Sequence, residues 1–187
     1  MIFKNALFLA FCISLPACQQ FNLVAGKTSS LQLKSIGKNE LVLPIDCATV
    51  VCTEGFANEG DVWITDIPMD DLQSGNIENG QIIRIQLLWF PKAGKTPLAE
   101  TSTNFVVEHI IIAEGEVGIY GGGGYCWPKG TAQDGLTLKI EDATMAMQQN
   151  TQHFADLLTP ATLNGTVIGK ADKKTARVIS AAAQRFK

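Results

Sequence analysis

Cys126 and His109 form the one nucleophile and base pair that this chain can assemble: a thiol that an imidazole could activate if the fold brought the two together. The chain holds only two histidines, His109 and His153. His109 sits inside the apolar run 105–112, where a histidine is ordinarily a packed side chain satisfied by one hydrogen bond rather than a base. No serine lies in a Gly-x-Ser-x-Gly elbow. Among the acids, Asp66, Asp70 and Asp71 cluster around Pro68, and Glu108, Glu114 and Glu116 fall close together further on. Two carboxylates that faced each other could hydrolyse a glycoside. Clustered acids more commonly make a solvated loop, and the ligand spacing of an EF-hand calcium loop is absent.

Two glycine motifs invite a nucleotide reading, and neither holds. "AGKTP" at 93–97 ends like a phosphate loop, but Trp89 stands where the loop needs its first glycine, and Pro97 opposes the helix start whose amides would hold phosphate. "IYGGGGYCWPKG" at 119–130 lacks a helix opening from its last glycine. Consecutive glycines supply positive φ and close backbone approach, so a sharp turn, a bulge or backbone lying against a neighbour is expected there. The functional alternative is a ligand shelf on which Tyr120, Tyr125 and Trp127 offer ring faces to a sugar or an apolar molecule.

The elements that would position these residues read as strands. In 81–90, Ile83, Ile85, Leu87 and Trp89 share one face, with Arg84 and Gln86 on the other. The run 105–112 is apolar on both faces, as a central strand would be, and Glu114-Gly115 is a hairpin turn returning into Val117 and Ile119. Leu136, Leu138 and Ile140 alternate before an expected turn at Glu141-Asp142, and shorter candidates lie at 31–36, 41–46, 61–67 and 161–169. Helix is expected at 151–158, as one turn after Pro68, and at the end, where Asp172 is an N-cap and Ala176, Ile179, Ala183 and Phe186 recur at helical spacing. The pattern predicts a mainly β chain: an antiparallel β-sandwich or barrel-like domain with a C-terminal helix.

The N-terminus carries a destination. Lys4 precedes an apolar run from Ala6 to Leu15, too short to span a membrane as a mature helix, and the run ends in Leu15-Pro16-Ala17-Cys18. This segment, and no other part of the chain, resembles the bacterial lipobox. The resemblance implies that Ala17 is the last residue removed, that Cys18 bears the acyl chains, and that a lipid anchor holds the domain on a membrane. Gln19, in place of aspartate, implies an outer-membrane address facing the periplasm in a host that has an outer membrane. The expected organisation is a signal peptide over 1–17, a tether over 18–30 and one β-rich domain over 31–187.

Loss of residues 1–17 removes only Lys4 among the charges and moves the net charge from −3 to −4, which disfavours a nucleic-acid partner. Cys47, Cys52 and Cys126 remain for the folded part, and export makes pairing the default. A local Cys47–Cys52 bridge through a turn is the first expectation, with a bridge to Cys126 as its rival. A lone C-x4-C lacks the ligands of a zinc site, so no metal or cofactor is expected. The sequence thus points to an anchored binding or structural module with an unidentified envelope protein or glycan as partner. A small-ligand domain using the aromatic glycine loop and a thiol-redox or hydrolytic enzyme centred on Cys126 stand as alternatives.

Overall fold

The computed structural model describes residues 29–37, 40–53, 60–92, 94 and 102–187. Ala17, Cys18 and the "AGKTP" segment apart from Gly94 lie outside the described residues. The chain order is β1 (Ser30–Ser35), β2 (Val42–Ile45), β3 (Thr49–Cys52), β4 (Gly60–Thr65), α1 (Met69–Ser74), β5 (Gly80–Leu87), β6 (Phe105–Ala113) and β7 (Glu116–Gly124). Then follow β8 (Cys126–Lys129), β9 (Leu136–Asn150), β10 (Ala161–Ala171), α2 (Lys173–Ala183) and a terminal 3-10 turn.

All ten strands belong to one sheet ordered β2-β1-β10-β3-β4-β5-β6-β7-β9-β8, and β10 also pairs with β9. That last pairing closes the sheet into a barrel, so of the two expected architectures the barrel is the one formed. Its pairing is antiparallel except where β10 meets β3, at Lys170–Val51 and Ala171–Cys52, so the sheet is mixed. β1 occupies the upper part of that seam, and β3 meets β10 directly below it. We call the end carrying the Glu114-Gly115 turn the upper end.

Period-two alternation explains the closure. Leu33, Ile64, Ile83, Ile85, Phe105, Leu138, Ile140 and Val167 point inward and fill the barrel as one core. The opposite face of β4 to β7 is also apolar, and Trp63, Ile82, Ile110, Ile112 and Ile119 are covered by α1 and α2 through Leu72, Ala176, Ile179 and Ala183. This double burial is why 105–112 reads as a central strand. Asp172 caps α2 by accepting from the Thr175 N–H at 3.0 Å. The small side chains of α2 let it lie close on the sheet.

Among the described strands two edges remain, β2 and β8, and each carries a proline, Pro44 and Pro128. Proline has no N–H to offer a further strand, so both edges are blunted against self-association.

Several local expectations change. The turn at Glu141-Asp142 is a β-bulge inside a continuous β9: Asp142 has φ 51°, and β10 shifts register between Leu163 and Gly165. Residues 151–158 form no helix but a loop joining β9 to β10. β5 stops at Leu87 because Trp89 turns aside to donate its indole N–H to the Thr103 carbonyl at 3.1 Å. The glycine run is not a turn. Gly121 to Gly124 continue β7 between β6 and β9. A Cβ on Gly122 would overlap the Thr144 carbonyl, so the glycine permits two backbones to approach where the barrel wall curves. Since backbone cannot move aside cheaply, Gly122→Ala is expected to lower unfolding free energy by about 1–3 kcal/mol in denaturant titration.

Candidate functional site

The structure separates the residues that the sequence grouped. Tyr120 points into the barrel near its upper end, whereas Tyr125 and Trp127 lie past the other end of β7. There Tyr125 packs edge-to-face against Trp89 (ring centroids 5.9 Å apart) and against Trp127 (6.0 Å), and Trp127 stays exposed. The glycine amides between these two places belong to ladders with β6 and β9, which leaves them no role as ligand donors.

Cys126 and His109 do not meet. The N–H of Cys126 donates to Asn104 Oδ1 at 2.8 Å, and Asn104 Nδ2 donates back to the Cys126 carbonyl at 2.8 Å, so this buried asparagine pins β8 below β6. His109 is five residues beyond Asn104 along the chain, about 17 Å of strand. Burial pushes the Cys126 thiol up to about 12, and no thiolate forms near neutrality. His109 is fully buried. It pairs through Nε2 with Gln81 Oε1 at 2.8 Å, and burial holds its pKa down to about 3, so it is a neutral packing residue.

The bridge expected between Cys47 and Cys52 is absent, and all three cysteines are free thiols. The residues expected to turn instead form β3, and an extended Thr49–Cys52 alone spans about 10 Å, beyond disulfide reach. Cys47 is half-buried, donating to the Ile45 carbonyl at 3.7 Å, while Cys52 packs in the core with its thiol pushed up to about 11 by burial. Among the described residues no cluster of three or more His, Cys, Asp or Glu could hold a metal ion.

What the fold does assemble is a cleft of about 870 Å³ at the upper end, between the free edge strand β2, the β6–β7 hairpin and the 151–160 loop. Leu41, Val42 and Leu43 form one wall, Ile111 and Ala113 another, and Tyr120, Phe154, Leu157 and Leu158 line the remainder. Among the described residues, the ionisable groups on the wall besides Tyr120 are Glu114, Glu116 and His153. Leu41, Val42 and Leu157 keep large exposed apolar surfaces at its rim. An apolar cavity of this size with a few polar groups at its edge suits a small organic ligand.

The loop that closes the cleft is built on Asp156. Its Oδ1 accepts from Tyr120 Oη (3.1 Å), the Leu158 N–H (3.1 Å) and the Thr159 N–H (3.0 Å). Slight burial raises its pKa, but these hydrogen bonds outweigh that and leave the carboxyl below its usual value. The same pair, with burial, drives the Tyr120 hydroxyl upward, so it stays a donor. The Phe154 ring occupies the space left by Gly118, where a Cβ would overlap it, and Thr151 bonds both Glu116 and the Val117 N–H. Asp156, Phe154 and Asn104 were missed in the sequence. A signal existed for the first: an aspartate two and three residues before N–H groups that it caps, just ahead of Thr159-Pro160, is an Asx-type turn rather than a helix end.

The acids of the sequence clusters gather at this same end. Asp66 Oδ1 accepts from the Gln81 N–H at 2.7 Å, Asp70 and Asp71 lie in the first turn of α1 with Asp71 near Glu78 and Asn79, and Glu114 and Glu116 flank the cleft. Glu108 alone lies elsewhere, facing outward and paired with Lys187 at 2.8 Å.

No family model matches the chain, and no curated protein or solved structure is significantly similar to it.

Two expectations follow. Thiol labelling of the native protein should reach Cys47 first and Cys52 and Cys126 only on unfolding, as read by mass spectrometry. Because an unfolded histidine binds its proton near pH 6.5 and buried His109 only near 3, the unfolded state holds the extra proton between those values. His109's contribution is therefore complete above about pH 6.5 and declines towards pH 3 by about 1.4 kcal/mol per pH unit. In denaturant titrations across that range, His109→Gln should flatten the slope by one proton.

Proposed function

We propose that this chain is a lipid-anchored envelope protein whose barrel serves as a binding module for a small apolar molecule held in the upper cleft. The observation that carries the reading is the cleft itself: a wall of aliphatic and aromatic side chains at a barrel mouth, with a loop fastened across it by Tyr120 and Asp156. The wall's charges define the ligand's head. Glu114 and Glu116 are carboxylates on the described wall, so a molecule with an apolar body and a neutral or cationic head fits them better than a fatty carboxylate. The lipobox-like Leu15-Pro16-Ala17-Cys18 supports the anchor and the envelope address. The enzyme alternative loses its support, since Cys126 is a protonated core thiol and His109 a neutral one-bond packing residue.

Binding is tested by titrating the protein with the neutral dye N-phenyl-1-naphthylamine. Saturable enhancement is expected, with affinity at least tenfold lower, about 1.4 kcal/mol, in Ala155→Trp, which fills the cleft. A long-chain quaternary ammonium should displace the dye at lower concentration than a fatty acid of equal length; equal displacement would remove the charge assignment, and no saturation in the wild type would remove the site. For the anchor, Cys18→Ser should abolish the acyl mass increment and release the protein from the membrane fraction.

A further inference from the structure

We infer that the barrel's outer face around Trp127, formed by β1, β10, β9 and β8, lies against the membrane surface, so that the cleft end points away from it; this rests on the lipid anchor at Cys18. One register row crosses four adjacent strands on this face: Ser30 of β1 pairs with Thr166 of β10, Thr166 with Lys139 of β9, and Lys139 with Trp127 of β8. Ser30, Lys139 and Trp127 are exposed, and their strand neighbours Leu31, Leu138 and Cys126 point into the core, so the row faces outward. Three strand spacings place Ser30 about 14 Å from Trp127.

Ser30 is where the chain arrives from Cys18. Ser29 is fixed just below it, its Oγ accepting from the Ile168 N–H at 2.8 Å. Ser29 lies eleven residues beyond Cys18, a contour of at most about 40 Å, and the chain enters the barrel at the lower end of this face, away from the cleft. An anchored Cys18 therefore holds this face nearer the bilayer than the distant cleft.

The chemistry of the face agrees with that geometry. α1 and α2 cover β3 to β7, and no described helix covers this side. Trp127 is 38% exposed and backed by Tyr125 and Trp89, an aromatic group of the kind that settles at the headgroup level. Lys129, Lys139 and Lys170 are exposed around it, together with the acids Asp134, Glu141 and Asp142, and Glu141 pairs with Lys139, so the aromatic group rather than net charge is the stronger feature of the face. The opposite end carries Glu78, Glu114, Glu116 and Asp156, which an anionic surface repels. Each accessible lysine near such a surface contributes attraction that fades within a Debye length.

The full lipidated chain in vesicles of phosphatidylethanolamine and phosphatidylglycerol with brominated acyl chains tests this. Of the three tryptophans, Trp63 is buried and serves as the unquenched reference. Bromine should quench the wild type, and Trp127→Phe should lose most of that quenching while still floating with the vesicles. Lys129→Glu combined with Lys170→Glu should also reduce it, because the anchor holds but the face no longer seats. Quenching that persists in Trp127→Phe, floated protein that is not quenched, or strong quenching of Leu157→Trp at the cleft rim would each overturn the orientation. A protein without the acyl increment that fails to float would instead overturn the anchor reading, and the orientation with it.

Discussion

Everything in this fold depends on β10 being paired along both sides. One side takes β9 over most of its length; the other takes β1 above and, for two residues, β3 in parallel below. A sheet with an apolar inner face can bury it only against a second layer or by closing, and the β10–β9 contact is the closing one. Closure needs curvature, which is supplied where strands touch too closely for side chains. Gly122 admits Thr144 backbone, and the Asp142 bulge bends β9 so that its two halves serve β8 and β7 on one side and β10 on the other. The glycine run that resembles a ligand loop is therefore a hinge of the barrel wall.

Much of the framework was legible because its signal is local. Alternation marked β5 and β9, two-sided apolarity marked β6, and the Glu114-Gly115 pair, both at positive φ, marked the hairpin. What failed depended on distant partners. Nothing within "GGGG" says that Thr144 will press on it. Residues 151–158 place Phe154, Leu157 and Leu158 at helical spacing, yet those side chains are drawn to the cleft by Asp156 and by the space above Gly118. The four residues of β3 are too few to show a period, and reading them as a turn created the Cys47–Cys52 bridge that is absent. Of the candidate site, Tyr120 and the carboxylates Glu114 and Glu116 were the residues singled out in advance. The rest of the cleft is brought together by strand order, which one sequence does not express.

Strand order also sorts charge, although the net charge is small. Loops at the upper end bring the acids around the cleft, and the outward positions of β8 to β10 bring lysines beside Trp127. Neither grouping has a counterpart as a run in the sequence. The polarity is a property of topology, since the acids arrive from three separate loops and the lysines from three separate strands.

The two proline-bearing edges show how such an arrangement resists the addition of a further strand while keeping an open apolar cleft. β2 forms one wall of that cleft and would ordinarily be the place where another chain adds a strand. Pro44 withdraws the donor that such pairing needs, in the middle of a four-residue strand, so side chains rather than backbone are what β2 presents. Recognition at this edge is then governed by Leu41, Val42 and Leu43 and by the carboxylates across from them. On the proposed binding reading, that favours the shape and charge of a small molecule over the hydrogen-bonding pattern of an extended peptide. Pro128 does the same for β8, where the exposed neighbour is Trp127, and there too it is the side-chain face that is left to meet a surface.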